Sequence, residues 1–91
     1  MSERFAVIIP AYCQNKRAYY LLQRCLISLK AQYWGDFCVV VVDDGSPSHF
    51  AAENLRDDAP RRTVFIKHPQ NQGRAVARNT GWKHVDTDFL L

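Results

Sequence analysis

The sequence predicts an α/β fold, a three-layer Rossmann-like parallel sheet of about four strands with helices on both faces. Three observations predict it. Short apolar runs rich in β-branched residues alternate with segments of helical periodicity along the whole chain. One run, "VVVV" at 39–42, is apolar at every position, so its strand leaves neither face to water. The strand ends that can be read, "PAYCQNK", "DDGSPS" and "KHPQNQG", are all polar, and parallel sheets bind ligands beyond such ends.

Phe5 to Pro10, "FAVIIP", reads as a buried strand closed by a proline that cannot donate to a ladder. From Ala18 to Gln32, Leu22, Leu26 and Leu29 recur at helical spacing with Tyr19 and Cys25 beside them. Gln23, Arg24 and Lys30 fall on the outer face, and Gly35 and Asp36 break the helix. Phe37 to Val42 is the second strand. Ser46 or Ser48 caps a further helix, with Pro47 suited to its first turn, that runs to about Arg56. "RDDAPRR" mixes charges around a proline and reads as a solvated loop. Thr63 to Lys67, "TVFIK", is the third strand and "HPQNQG" is turn chemistry. Gly73 to His84 is the last helix, with Asn71 placed to cap it and Gly81 allowing close packing on the sheet. Asp88 to Leu91, "DFLL", begins a fourth strand.

The totals narrow the function class. Ninety-one residues make one small domain, which buries roughly 60–70% of its unfolded surface. Twelve Lys and Arg against nine Asp and Glu leave +3, compatible with an anionic ligand and far below a nucleic-acid-binding charge density. The three cysteines, Cys13, Cys25 and Cys38, form no C-x-x-C pair, which argues against a disulfide framework and a zinc site. Packing roles and reduced thiols in a cytoplasmic setting are expected. His49, His68 and His84 lie at no ligand-like spacing, and none is assigned to a metal. The N-terminus carries no signal-peptide pattern, and no segment approaches the ~20 apolar residues of a membrane span.

The first strand-to-helix turn has no glycine before Gly35, which excludes a dinucleotide fingerprint and a P-loop. A signalling receiver domain would carry its acid pair after the first strand, whereas Asp43 and Asp44 close the second. The segments "VIIPAY" at 7–12, "VVVVDDGS" at 39–46 and "NQGRAVARNTG" at 71–81 stand in an order and spacing that resemble the opening of a family 2 glycosyltransferase of the GT-A type. The resemblance covers essentially the whole chain. It implies a strand order of 3-2-1-4 and makes residues 1–91 the N-terminal, sugar-nucleotide-binding half of an incomplete domain.

The resemblance also implies roles. The donor it implies is a UDP-sugar, and Asp44 accepts the N3–H of its uracil base through a charge-assisted bond about twice a neutral one. The plainer reading of the same residues is an Asp-Gly turn with a serine cap. Strand alternation sends Asp43 to the other face, where it either anchors the turn or pairs with a basic residue such as Arg78. Pro10, Ala11 and Tyr12 lie along the nucleoside, with Tyr12 stacking on the base or packing beneath the first helix. Asn71 and Gly73 shape the approach to the ligand. Arg74 meets ribose or diphosphate, or else shares a solvated helix face with Arg78.

"DTD", Asp86 to Asp88, looks like a metal-binding Asp-x-Asp but stands before the fourth strand, so it is not assigned to metal. The Mg or Mn ion that the family implies takes its ligands elsewhere, no catalytic residue is assigned, and this length of chain is expected to be inactive alone. An apolar edge at Phe89, Leu90 and Leu91 is expected to promote self-association. The alternatives are a non-catalytic nucleotide-binding or assembly module and a receiver-like signalling domain.

Overall fold

The computed structural model describes residues 5–32, 37–85 and 89–90. Three parallel strands, β1 (Phe5–Ala11), β2 (Phe37–Asp44) and β3 (Thr63–His68), lie in the order β3-β2-β1. The register pairs Ala11 with Asp43 and Asp44 with His68, so the polar ends of all three strands open at one edge of the sheet. On the free side of β1, Phe89 and Leu90 pair in parallel with Phe5 and Ala6.

β2 is central because its sequence tolerates no water on either side. Val39 and Val41 are fully buried on one face, among Leu22, Leu26, Ala52 and Leu55. Val40 and Val42 are buried on the other, against Ala77 and the flanking Ile8 and Ile66. Each such side chain contributes roughly 1.5–3 kcal/mol relative to exposure.

The first face carries helix α1 (Lys16–Lys30), which begins where Asn15 Oδ1 accepts from the Ala18 N–H at 2.9 Å. Leu22 and Leu26 are its buried residues, whereas Cys25, expected in the apolar stripe, is exposed. The second face carries helix α2 (Arg74–His84). A Cβ on Gly81 would stand 2.6 Å from Ile8 Cγ2, so its missing side chain is what lets α2 lie directly on β1 and β2.

The helix expected after β2 is instead two 3₁₀ segments, Ser48–Phe50 and Ala52–Asp58, with no side-chain cap at either start. Extended backbone at Ala51 separates them. The Ala52 N–H is drawn to Asp43 Oδ2 at 2.8 Å, which takes it out of any helical ladder and breaks the run there. Asn71 does not cap α2: Gly73 holds the N-cap position without a side-chain bond. Gly35 and Asp36, the triplet Asp86–Asp88 and the terminal Leu91 lie outside the described residues. Among the described residues no helix is long and apolar enough to cross a membrane.

Candidate functional site

Among the described residues, seven line a cleft of about 380 Å³ at the polar edge of the sheet: Pro10, Ala11, Tyr12, Asp44, Asn71, Gly73 and Arg74. They are the seven that the sequence nominates as nucleotide contacts. The end of β1 delivers Pro10 and Ala11, with Tyr12 just after it, and the end of β2 delivers Asp44. The turn from β3 into α2 delivers Asn71 and Gly73, and the first residue of α2 is Arg74. Cleft volume and polar convergence are those of a small-molecule site.

Asp44 is the centre of this wall and is 3% exposed. Its Oδ1 accepts from His68 Nδ1 at 2.7 Å and from the Gln72 N–H at 3.0 Å. Its Oδ2 accepts from the Gly73 N–H at 2.8 Å. Asn71 Nδ2 donates to the Asp44 carbonyl at 3.3 Å, so this side chain ties the turn to β2 rather than capping α2. Burial works to raise the Asp44 pKa. The His68 hydrogen bond, the two backbone donors and the His68 charge outweigh it and hold the carboxyl below its ordinary value.

Two glycines shape the approach. Gly45 has φ +88°, and a Cβ there would meet the Asn71 nitrogen at 2.5 Å, so the turn after β2 and the turn before α2 touch backbone to backbone. Gly73, at φ +98°, has open space where a Cβ would stand, and its left-handed backbone aims its N–H back at Asp44.

Asp43 faces the other way, as strand alternation requires. Its Oδ1 accepts from the Ser46 N–H at 2.9 Å and its Oδ2 from the Ala52 N–H, so it anchors the turn. The pairing with Arg78 is not formed, because α2 packs on the opposite face and Arg78 is exposed. Ser46, expected as a helix cap, instead accepts from the Cys13 N–H at 2.8 Å and fastens the segment after β1 to the turn after β2. Burial pushes the Cys13 thiol pKa up, Asp43 adds to the rise, and the Ser46 hydrogen bond partly offsets it.

Tyr12 is 43% exposed, so it is not packed beneath α1, and its hydroxyl accepts from Gln14 Nε2 at 3.1 Å. Arg74 is exposed at the rim, one turn before the equally exposed Arg78. His68 is the residue that the sequence reading left without a role. The available signal was positional: it ends β3 where Asp44 ends β2, and the register makes them neighbours.

Among the described residues no three His, Cys, Asp or Glu side chains stand close enough to hold a metal ion. Asp43 and Asp44 point to opposite faces, with every carboxylate oxygen already accepting from in-chain donors. That arrangement does not fit the shared acid pair of a magnesium-binding receiver domain.

The chain is 38% identical over 91 residues to the succinoglycan biosynthesis protein ExoW of Rhizobium meliloti, covering 96% of this chain and 27% of that protein. It is 31% identical over 96 residues to an N-acetylglucosaminyltransferase of Azorhizobium caulinodans, covering 100% of this chain and 23% of that protein. A teichoic acid poly(glycerol phosphate) polymerase of Staphylococcus epidermidis matches at 30% over 92 residues, 12% of its own length. The chain thus spans about a quarter, or less, of the length of these curated relatives. The family model for glycosyl transferase family 2 matches residues 6–91, which takes in β1 after its first residue, β2, β3, both helices and every residue of the cleft, and the chain belongs to that family.

Proposed function

We propose that the cleft binds the nucleoside diphosphate part of a sugar-nucleotide donor, with a uridine base against Asp44. The observation that carries this reading is the convergence of the seven cleft residues from three separate segments around one ionised, buried carboxylate. An ionised carboxylate offers about four acceptor positions. Three are filled from within the chain, two on Oδ1 and one on Oδ2, which leaves one on Oδ2 for a base N–H. The exposed ring of Tyr12 offers a stacking face, and a stacked base is worth roughly 1–3 kcal/mol in related recognition. Arg74 supplies the cation for ribose or diphosphate at the rim.

The longer enzyme transfers the sugar to an acceptor hydroxyl with inversion, through a general base outside the described residues. A divalent Mg or Mn ion, if bound, would supply charge neutralisation for the diphosphate, and its ligands would be carboxylates other than Asp43 and Asp44, whose oxygens accept from in-chain donors. Three cysteines without a disulfide accord with a reducing, cytoplasmic setting.

The two-residue ladder that Phe89 and Leu90 form with β1 supports a fourth strand and the order 3-2-1-4. The outer edge of that strand pairs with a second copy at high concentration. Sedimentation velocity then shows a species heavier than 10.5 kDa that grows with concentration, and a clean monomer throughout counts against this pairing.

Calorimetry tests the nucleotide reading without altering the protein. UDP binds weakly with or without manganese, and 3-methyluridine diphosphate, which lacks the N–H, binds at least about tenfold more weakly. Equal affinity for the two ligands rules out Asp44 as the base acceptor. A non-catalytic nucleotide-binding module gives the same binding but no sugar transfer in the longer protein.

A further inference from the structure

Asp44 can serve a base only if its free acceptor position faces the cleft, and a carboxylate on a freely rotating side chain does not guarantee that. Its backbone donors, Gln72 and Gly73, lie in the turn, whereas the shortest contact comes from a buried side chain on the neighbouring strand. His68 is 8% exposed and lies opposite Asp44 in the β2–β3 register, with Nδ1 at 2.7 Å from Oδ1. Because an ionised carboxylate only accepts, Nδ1 carries the proton. This bond and the Gln72 N–H together fill Oδ1, which turns Oδ2 into the oxygen with room for a ligand.

The imidazole is itself held. Its Nε2 is 2.9 Å from Thr80 Oγ1 on α2, and that hydroxyl is 3.0 Å from the Val76 carbonyl. Thr80 has one proton and two acceptors in reach. With Nε2 bare, the hydroxyl donates to it; with Nε2 protonated, the hydroxyl donates to Val76 and accepts from the ring. Nδ1–H stays on Asp44 in both cases, so the clamp works in either charge state of the histidine without moving a heavy atom.

We propose that His68, anchored by Thr80, is a positioning residue that sets the orientation of Asp44 and thereby the discrimination for a base N–H. This inference rests on the reading of Asp44 as the base acceptor. It assigns a function to the one buried histidine that neither the cleft lining nor the family motifs account for.

The test compares affinities for UDP and 3-methyluridine diphosphate across variants of the 91-residue chain. Wild type prefers UDP by about tenfold or more. In His68→Leu, which removes both ring nitrogens, the ratio falls towards one. In His68→Asn, whose amide nitrogen takes the place of Nδ1, it returns to within about threefold of wild type. A purely structural histidine weakens both ligands together and leaves the ratio unchanged, and that result overturns the positioning role. Thr80→Val leaves the imidazole in place and removes its anchor, so it carries the same test if His68→Leu does not fold, and an unchanged ratio there overturns the role equally. Wild type that binds neither ligand, or both alike, overturns the base-acceptor reading, and the positioning role falls with it.

Discussion

Asp44 serves the fold with the same two oxygens that the proposed site would use. In the fold it closes the turn before α2 by accepting from Gln72, Gly73 and His68. Removing such a buried acceptor costs about 1–3 kcal/mol for each donor left without a partner. Asp44→Asn should therefore lower stability as well as nucleotide binding, and the stability part has a distinct pH signature. The carboxyl is held below its ordinary value in the folded chain. Its contribution is fully present above the unfolded value of about 3.9 and is lost as pH falls through the lower folded value. Thermal unfolding of wild type and Asp44→Asn should differ most at neutral pH and converge in acid. A gap that stays constant down to strongly acid pH would show that the ionised carboxylate is not what holds the turn.

Asp43 shows how far residue identity alone can be read. Its face followed from strand alternation, and its role as a turn anchor was one of two readings open in the sequence. Its two partners, Ser46 and Ala52, became visible only once the turn had a path. His68 was legible only through the strand order, for a related reason. Its bond to Asp44 joins residues 24 apart in the chain, and nothing local to "IKHPQ" indicates which strand lies beside it.

Among the elements, α2 is the one whose placement most directly controls the cleft, because its first turn carries Arg74 and its packing fixes the turn before it. Gly81 permits that packing. A methyl group there meets Ile8 at 2.6 Å and Val42 at 3.2 Å, both anchored in the sheet. Gly81→Ala should destabilise the chain by roughly 1–3 kcal/mol through overpacking, read as a lower urea midpoint. An unchanged midpoint would mean that α2 shifts freely on the sheet.

Strand β2 was the most legible element because a run buried on both faces can be read without knowing its neighbours. Helix α2 was legible from its breaker and its periodicity, although its start is set by Gly73 rather than by an Asn71 cap. The segment after β2 was not legible. Its residues suit a helix locally, but Asp43 competes for the Ala52 N–H and divides the run into two 3₁₀ pieces. Cys25 misled for a simpler reason: it borders the apolar stripe of α1, and the packed positions there are Leu22 and Leu26.

For the molecule as a whole, the architecture explains why the cleft forms where it does. Three parallel strands end at one edge, the register aligns Ala11, Asp43, Asp44 and His68 there, and the turns after the strands are stitched together through Ser46, Asn71 and Gly45. Membership of glycosyl transferase family 2 rests on a match spanning residues 6–91, so the whole of this cleft lies inside the family pattern. Chemical-shift mapping of the amide spectrum during a UDP titration tests the central claim most directly. Shifts should concentrate at Ala11, Tyr12, Asp44, Asn71, Gly73 and Arg74, at the polar edge of the sheet. No shifts at millimolar UDP, or shifts gathered instead at the opposite edge around Lys30, Arg61 and Arg62, would contradict it.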